Sequence, residues 1–210
     1  MTGRAARWGP TSGVVFAVLF VAALALFADV PAPSEADAKL VSYVADHSHQ
    51  VRLEAAFLGA TIGMAFFFWF VGILAARLAS VYGRIAVASG AAAGVLFLLG
   101  LGCNVALVDV AGDTDAFRVD PNTARLASDF SYTLIFEAGL PFAAPLVLAA
   151  SLGGGFAAWL RRSGYVVAVG CILGFLAVGM ALFILWVVAV SVVLTRGARQ
   201  SVSSPDPVGS

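Results

Sequence analysis

Apolar residues along this chain gather into long runs, and polar residues are pushed into the gaps between them. The runs lie at 13–30, 53–76, 85–108, 126–159 and 165–194. They approach or exceed the roughly 20 helical residues that cross about 30 Å of hydrocarbon. The pattern predicts an all-α fold, a polytopic membrane helical bundle of five transmembrane helices in one domain spanning 13–196. Outside the spans it leaves an amino-terminal segment at 1–12, outer loops at 31–52 and 109–125, and a polar tail at 197–210 that reads as disordered.

The loops are not uniform. In "SEADAKLVSYVADHSHQ", Ser34 is followed three residues on by Asp37, a variant of the capping box. Ala36, Leu40, Val41 and Val44 then recur at helical spacing. A short amphipathic helix lying at the membrane interface fits this pattern. The second loop, "DVAGDTDAFRVDPNTAR", is acidic and rich in turn residues. Its close aspartates hint at calcium but lack the order and the closing glutamate of an EF-hand, and a solvated loop is the simpler reading.

Composition sharpens the picture. The chain is 61% hydrophobic and 11% charged, with a mean hydropathy of +0.97. Soluble domains are about a quarter charged, so this chain cannot cover a water-facing surface, and its principal partner is the lipid bilayer. Twelve basic residues balance twelve acidic ones, which leaves no net charge to attract nucleic acid. Cys103 and Cys171 fall inside apolar runs and read as small buried hydrophobes. The first run follows Arg4 and Arg7 and precedes "VPAPS", so a cleaved signal peptide is an alternative for it. With five spans the positive-inside rule nearly ties. A cytoplasmic amino terminus puts Arg4, Arg7, Arg77, Arg84, Arg161 and Arg162 inside, and Lys39, Arg52, Arg118, Arg125, Arg196 and Arg199 outside. The acid-free Arg77–Arg84 turn and "WLRR" favour that orientation.

Two stretches carry a resemblance. Residues 41–78 hold a tyrosine, an Asp-His pair, an arginine and an aromatic "FFFWF" run, and residues 183–194 read "FILWVVAVSVVL". Together they resemble an uncharacterised family of actinobacterial multi-pass integral membrane proteins. The resemblance implies a bacterial plasma-membrane location and brings no reaction, ligand, cofactor or partner with it.

Candidate chemistry centres on "DFSYTLIFEAGLPFAAP". Residues four apart share a helix face, so Asp129, Thr133 and Glu137 line one stripe, with Glu137 about 12 Å deeper than Asp129. A carboxyl at the bilayer centre is expected to face the bundle interior, find a partner or stay protonated. Gly139, Pro141 and Pro145 follow at once. Proline lacks an N–H and clashes with the carbonyl four residues back, which predicts a broken helix beside Glu137. Two readings stand: a proton or cation site, or a neutral glutamate in a packing kink. Glu54 and Asn104 lie nearer the outer face and, with Asp129, Arg52 and Arg125, are candidates for a polar vestibule. Asp46, His47 and His49 of "DHSH" lack the further Cys or His that would complete a zinc site.

Absences point away from catalysis. No histidine lies within a span, and there is no HExxH, no GxSxG and no phosphate-binding glycine loop. No cofactor and no catalytic set is expected. GxxxG pairs at Gly59–Gly63, Gly90–Gly94 and Gly170–Gly174 allow close helix approach, within the chain or with a membrane partner or second copy. The expectation is a non-catalytic accessory, scaffold, lipid- or partner-binding membrane protein, with a small proton- or cation-coupled transporter using Glu137 as the alternative.

Overall fold

The computed structural model describes residues 11–113, 119–153, 155–173 and 177–203. The amino-terminal arginines, residues 114–118 of the acidic loop, Gly174 and the end of the tail lie outside them. Among the described residues every regular element is a helix. They are α1 (Ser12–Phe27), α2 (Asp37–Ala45), α3 (His47–Ala75), α4 (Ser80–Asp113), α5 (Pro121–Tyr132), a π-helical turn (Thr133–Gly139), α6 (Leu140–Gly153), α7 (Ala158–Ile172) and α8 (Ala177–Ser203). Four helical stretches are long and apolar enough to span a membrane, and α1 is a shorter apolar helix.

The helices form a sequence of neighbours that closes on itself. α1 lies along α3, α3 along α4, α4 along α6, α6 along α7, and α7 along α8, which returns to α1. The centre is aromatic. Phe16 of α1 meets Phe67 of α3 at 4.8 Å between ring centroids, Phe20 meets Phe97 of α4 at 5.6 Å, and Phe183 of α8 lies 6.0 Å from Phe67 and 6.3 Å from Phe97. In "FFFWF", Phe67 and Phe70 are fully buried, whereas Phe66, Phe68 and Trp69 face outward. An aromatic run that covers every face of a helix must divide in this way between protein and lipid.

The span expected at 165–194 is not one helix. Gly164 of α7 lies beside Trp186 of α8, and Gly170 lies against Gly179. In a single straight helix the first pair would be about 33 Å apart. The run is therefore an antiparallel hairpin. At this point the approach is backbone on backbone: a Cβ at Gly179 would collide with the Gly170 carbonyl oxygen. Continuous hydropathy hid the reversal, because residues 173–176, between the two helices, are as apolar in sequence as the helices themselves.

Other boundaries move as well. The fourth run begins at Pro121, where Asp120 caps α5 by accepting from the Thr123 amide at 3.3 Å and proline occupies the first turn. It ends at Gly153, before the Gly-rich link to α7. α3 starts at His47 and α4 continues to Asp113, so much of each outer loop is helical. α8 runs on to Ser203, so residues 197–203 of the expected disordered tail are helix. Ala, Arg and Gln after Gly197 are good helix formers, and no proline intervenes.

The hairpin decides which ends meet. Gly197 of α8 lies near Arg77, between α3 and α4, and Gly13 of α1 lies against Phe70 and Ser191. Gly153 packs on Tyr82 at the start of α4. One end of the bundle thus gathers Arg77, Arg84, Arg161, Arg162 and Arg196, without an acid among the described residues. The other holds Lys39, Arg52 and Arg125 with the acids of the loops.

Candidate functional site

At the acidic end, the short helix α2 packs its apolar side on the protein. Its start is capped by no side chain, so Ser34 does not play the part its spacing suggested. Leu40, Tyr43 and Val44 are buried against Leu53, Val108 and Ala124. The tyrosine, aspartate-histidine and arginine on which the resemblance rests assemble here. Asp46 caps α3, accepting from the Ser48 amide at 2.8 Å and the Ser48 hydroxyl at 2.7 Å. Those bonds hold its carboxyl below the usual carboxylate range. His49 stacks on Tyr43 at 4.1 Å, and His47 bonds Gln50 at 3.1 Å. Arg52 pairs with Asp29 at 2.7 Å and donates to the Leu26 carbonyl at 3.0 Å, closing the end of α1. Burial raises the Tyr43 phenol above its ordinary value, and the nearby Arg52 guanidinium opposes the rise.

Arg125 of α5 reaches across to the linker between α1 and α2. It donates to the Pro33 carbonyl at 3.0 Å and the Glu35 carbonyl at 3.2 Å, and it pairs with Asp37. The two arginines therefore tie the linker down instead of forming a vestibule above Glu137.

Beneath this tied linker lies a cavity of about 880 Å³. α1 contributes Val21, Leu24 and Phe27; the linker contributes Pro31 and Pro33; α8 contributes Met180, Ile184 and Leu185. The opposite wall is α4 with α5 and the π turn, where Asn104, Ser128, Ser131 and Tyr132 supply the polar atoms. Asn104 is 7% exposed, and its amide oxygen accepts from the Ser128 hydroxyl at 3.4 Å. The space exists because α5 leans on α4 and α2, while α8 leans on α7 and α1. Its size suits an elongated small molecule, and its lining is apolar with a few convergent polar groups.

The sequence candidates separate. Asn104 faces the cavity, but Asp129 and Glu137 are exposed, Thr133 is half-buried, and Glu54 is exposed at the start of α3. Asp129, Thr133 and Glu137 do share a stripe, yet that stripe turns outward. The reason is the neighbouring register. Ser131, Ile135 and Gly139 face α4, where a Cβ on Gly100 would meet Ile135 at 2.5 Å and the Ser131 carbonyl at 2.9 Å. Glu137 sits two residues from both Ile135 and Gly139, on the opposite side. Ser128 and Ser131, which build the polar wall, carry no sequence signal beyond lying one helical turn apart beside an apolar run.

Compared with family models, curated proteins and solved structures, the chain has no match. The site is therefore read from its geometry.

The π turn has a local cause. Pro141 cannot donate to the Glu137 carbonyl, and Pro145 cannot donate to that of Pro141, so regular bonding fails here. The chain answers with a wide turn in which the Leu140 amide reaches back to the Ile135 carbonyl. Gly139 lets the widened turn pack on Phe97. Wide turns of this kind shift side-chain register, and this one lies at the middle of the Pro121–Gly153 stretch with Glu137 at its centre. A charge at such depth costs at least about 2.5–3.5 kcal/mol.

Proposed function

We propose that this is a non-catalytic membrane protein that binds a lipid or lipid-like amphiphile in the half of the bilayer nearer the acidic end. One observation carries the reading: the 880 Å³ cavity between α1, α5 and α8, apolar except for Asn104 and the hydroxyls beside it. An acyl or isoprenoid chain matches the apolar walls. A carbonyl or hydroxyl near its head matches the Asn104–Ser128 pair, because a polar group taken into such a site needs a partner. The concentration of basic residues at the opposite end supports a cytoplasmic face there, with the cavity in the outer leaflet of a bacterial plasma membrane.

The test is retention of ligand. Ala181 borders the cavity, so Ala181→Trp fills space that a chain would occupy. Extraction and mass spectrometry of gently purified protein should find a stoichiometric lipid-like molecule on the wild type and a severalfold loss on the variant. Equal retention by both proteins removes the cavity as the binding site.

A further inference from the structure

A carboxylate on the outer surface of a bundle, midway along a membrane-spanning stretch, is out of place unless something covers it. Glu137 occupies that position: it is exposed, central to Pro121–Gly153, and on the face opposite the one packed on α4. Around it the surface is apolar, with Phe130 53% and Phe142 51% exposed on the turns before and after it. Lipid tails offer this acid neither a counter-charge nor a hydrogen-bond partner.

We propose that the Glu137 face docks a transmembrane helix of a different protein, one that carries a lysine or arginine at its own mid-membrane level. Charge complementarity selects this occupant. Among the described residues lysine and arginine stand at 39, 52, 77, 84, 125, 161, 162, 196 and 199, all toward the two ends of the bundle. A second copy therefore has no described cation to offer at that depth, and symmetric docking would set carboxyl against carboxyl, which disfavours ionisation of both. A basic partner instead neutralises the acid where water is excluded and where an ion pair is screened least. The wide turn that precedes Pro141 contributes by setting the register that aims Glu137 outward, beside half-buried Thr133, whose hydroxyl adds a second polar contact on the same stripe.

The test uses the full chain in membranes of its source cell and a lipophilic carbodiimide, which labels accessible membrane carboxyls. Glu137 is expected to be protected in those membranes and to label severalfold more after purification into micelles. A photocrosslinker placed at Phe142 is expected to capture a polypeptide whose span holds a central lysine or arginine. That capture should be lost in Glu137→Leu and kept in Asp129→Asn. Glu137→Leu should leave the thermal midpoint of the isolated chain in micelles unchanged or raised. The proposal is overturned by equal labelling in membranes and micelles, or by crosslinks only to lipid, to a second copy or to a span without a basic residue. A lowered midpoint for Glu137→Leu also overturns it, since the acid would then serve the fold of this chain.

Discussion

Single residues here act according to the face they occupy. Glu137 and Asn104 are both polar residues in apolar runs, yet Asn104 turns into the cavity and Glu137 turns away from the bundle. Asp46 shows the same dependence on position, because at the start of α3 its carboxyl works as a helix cap. Its pKa is lowered first by the bond from the Ser48 hydroxyl and then by the Ser48 amide. A carboxyl depressed in the folded state stabilises above its unfolded value and loses that contribution as pH falls through the folded one. Hydrogen exchange at the Ser48 amide should thus show protection that is constant near neutrality and begins to fail below about pH 4. Asp46→Asn, which still caps, should show no such fall; an identical pH profile in the variant would mean that Asp46 does not hold this helix start.

At the scale of elements, the α7–α8 hairpin depends on Gly179. Its approach to the Gly170 backbone leaves no room for a side chain at position 179, and the obstructing atom is a carbonyl oxygen that cannot rotate aside. Gly179→Val is expected to destabilise by about 1–3 kcal/mol, as overpacking does, measured by unfolding in micelles. Gly59→Ala, where a Cβ meets open space, should be near neutral. The glycine pairs thus differ in use: Gly63, Gly90 and Gly94 pack within the chain, whereas Gly59 does not. Spacing alone does not separate them, since GxxxG places two glycines on one face without saying what that face meets.

For the whole molecule, the hairpin changes topology. Two antiparallel helices in place of one bring Arg196 to the end that holds Arg77 and Arg84, and the near tie in basic residues between the two ends becomes a clear imbalance. Single cysteines introduced at Ser80 and Gly197, in a background with Cys103 and Cys171 replaced, should label from the same side of sealed vesicles. One at Lys39 should label from the other. Opposite labelling of positions 80 and 197 would restore a single span after residue 165 and remove the hairpin.

The sequence by itself determined the membrane setting, the helical class and the approximate place of the first four long runs, because hydropathy and proline chemistry act through neighbours along the chain. Pro141 and Pro145 also signalled an irregularity beside Glu137, since a missing N–H has its effect within one turn, but the expected break is instead the wide turn Thr133–Gly139, and the helix runs unbroken through Pro145. Only the tertiary structure decided which way Glu137 points, that residues 165–194 fold back on themselves, and that Asn104 meets Ser128 beside a cavity. Each of these depends on which helix lies against which face. In a chain apolar on nearly every side, periodicity leaves that choice open, and it is made by the fit of Phe67, Phe97 and Phe183 and by the close approach of glycines.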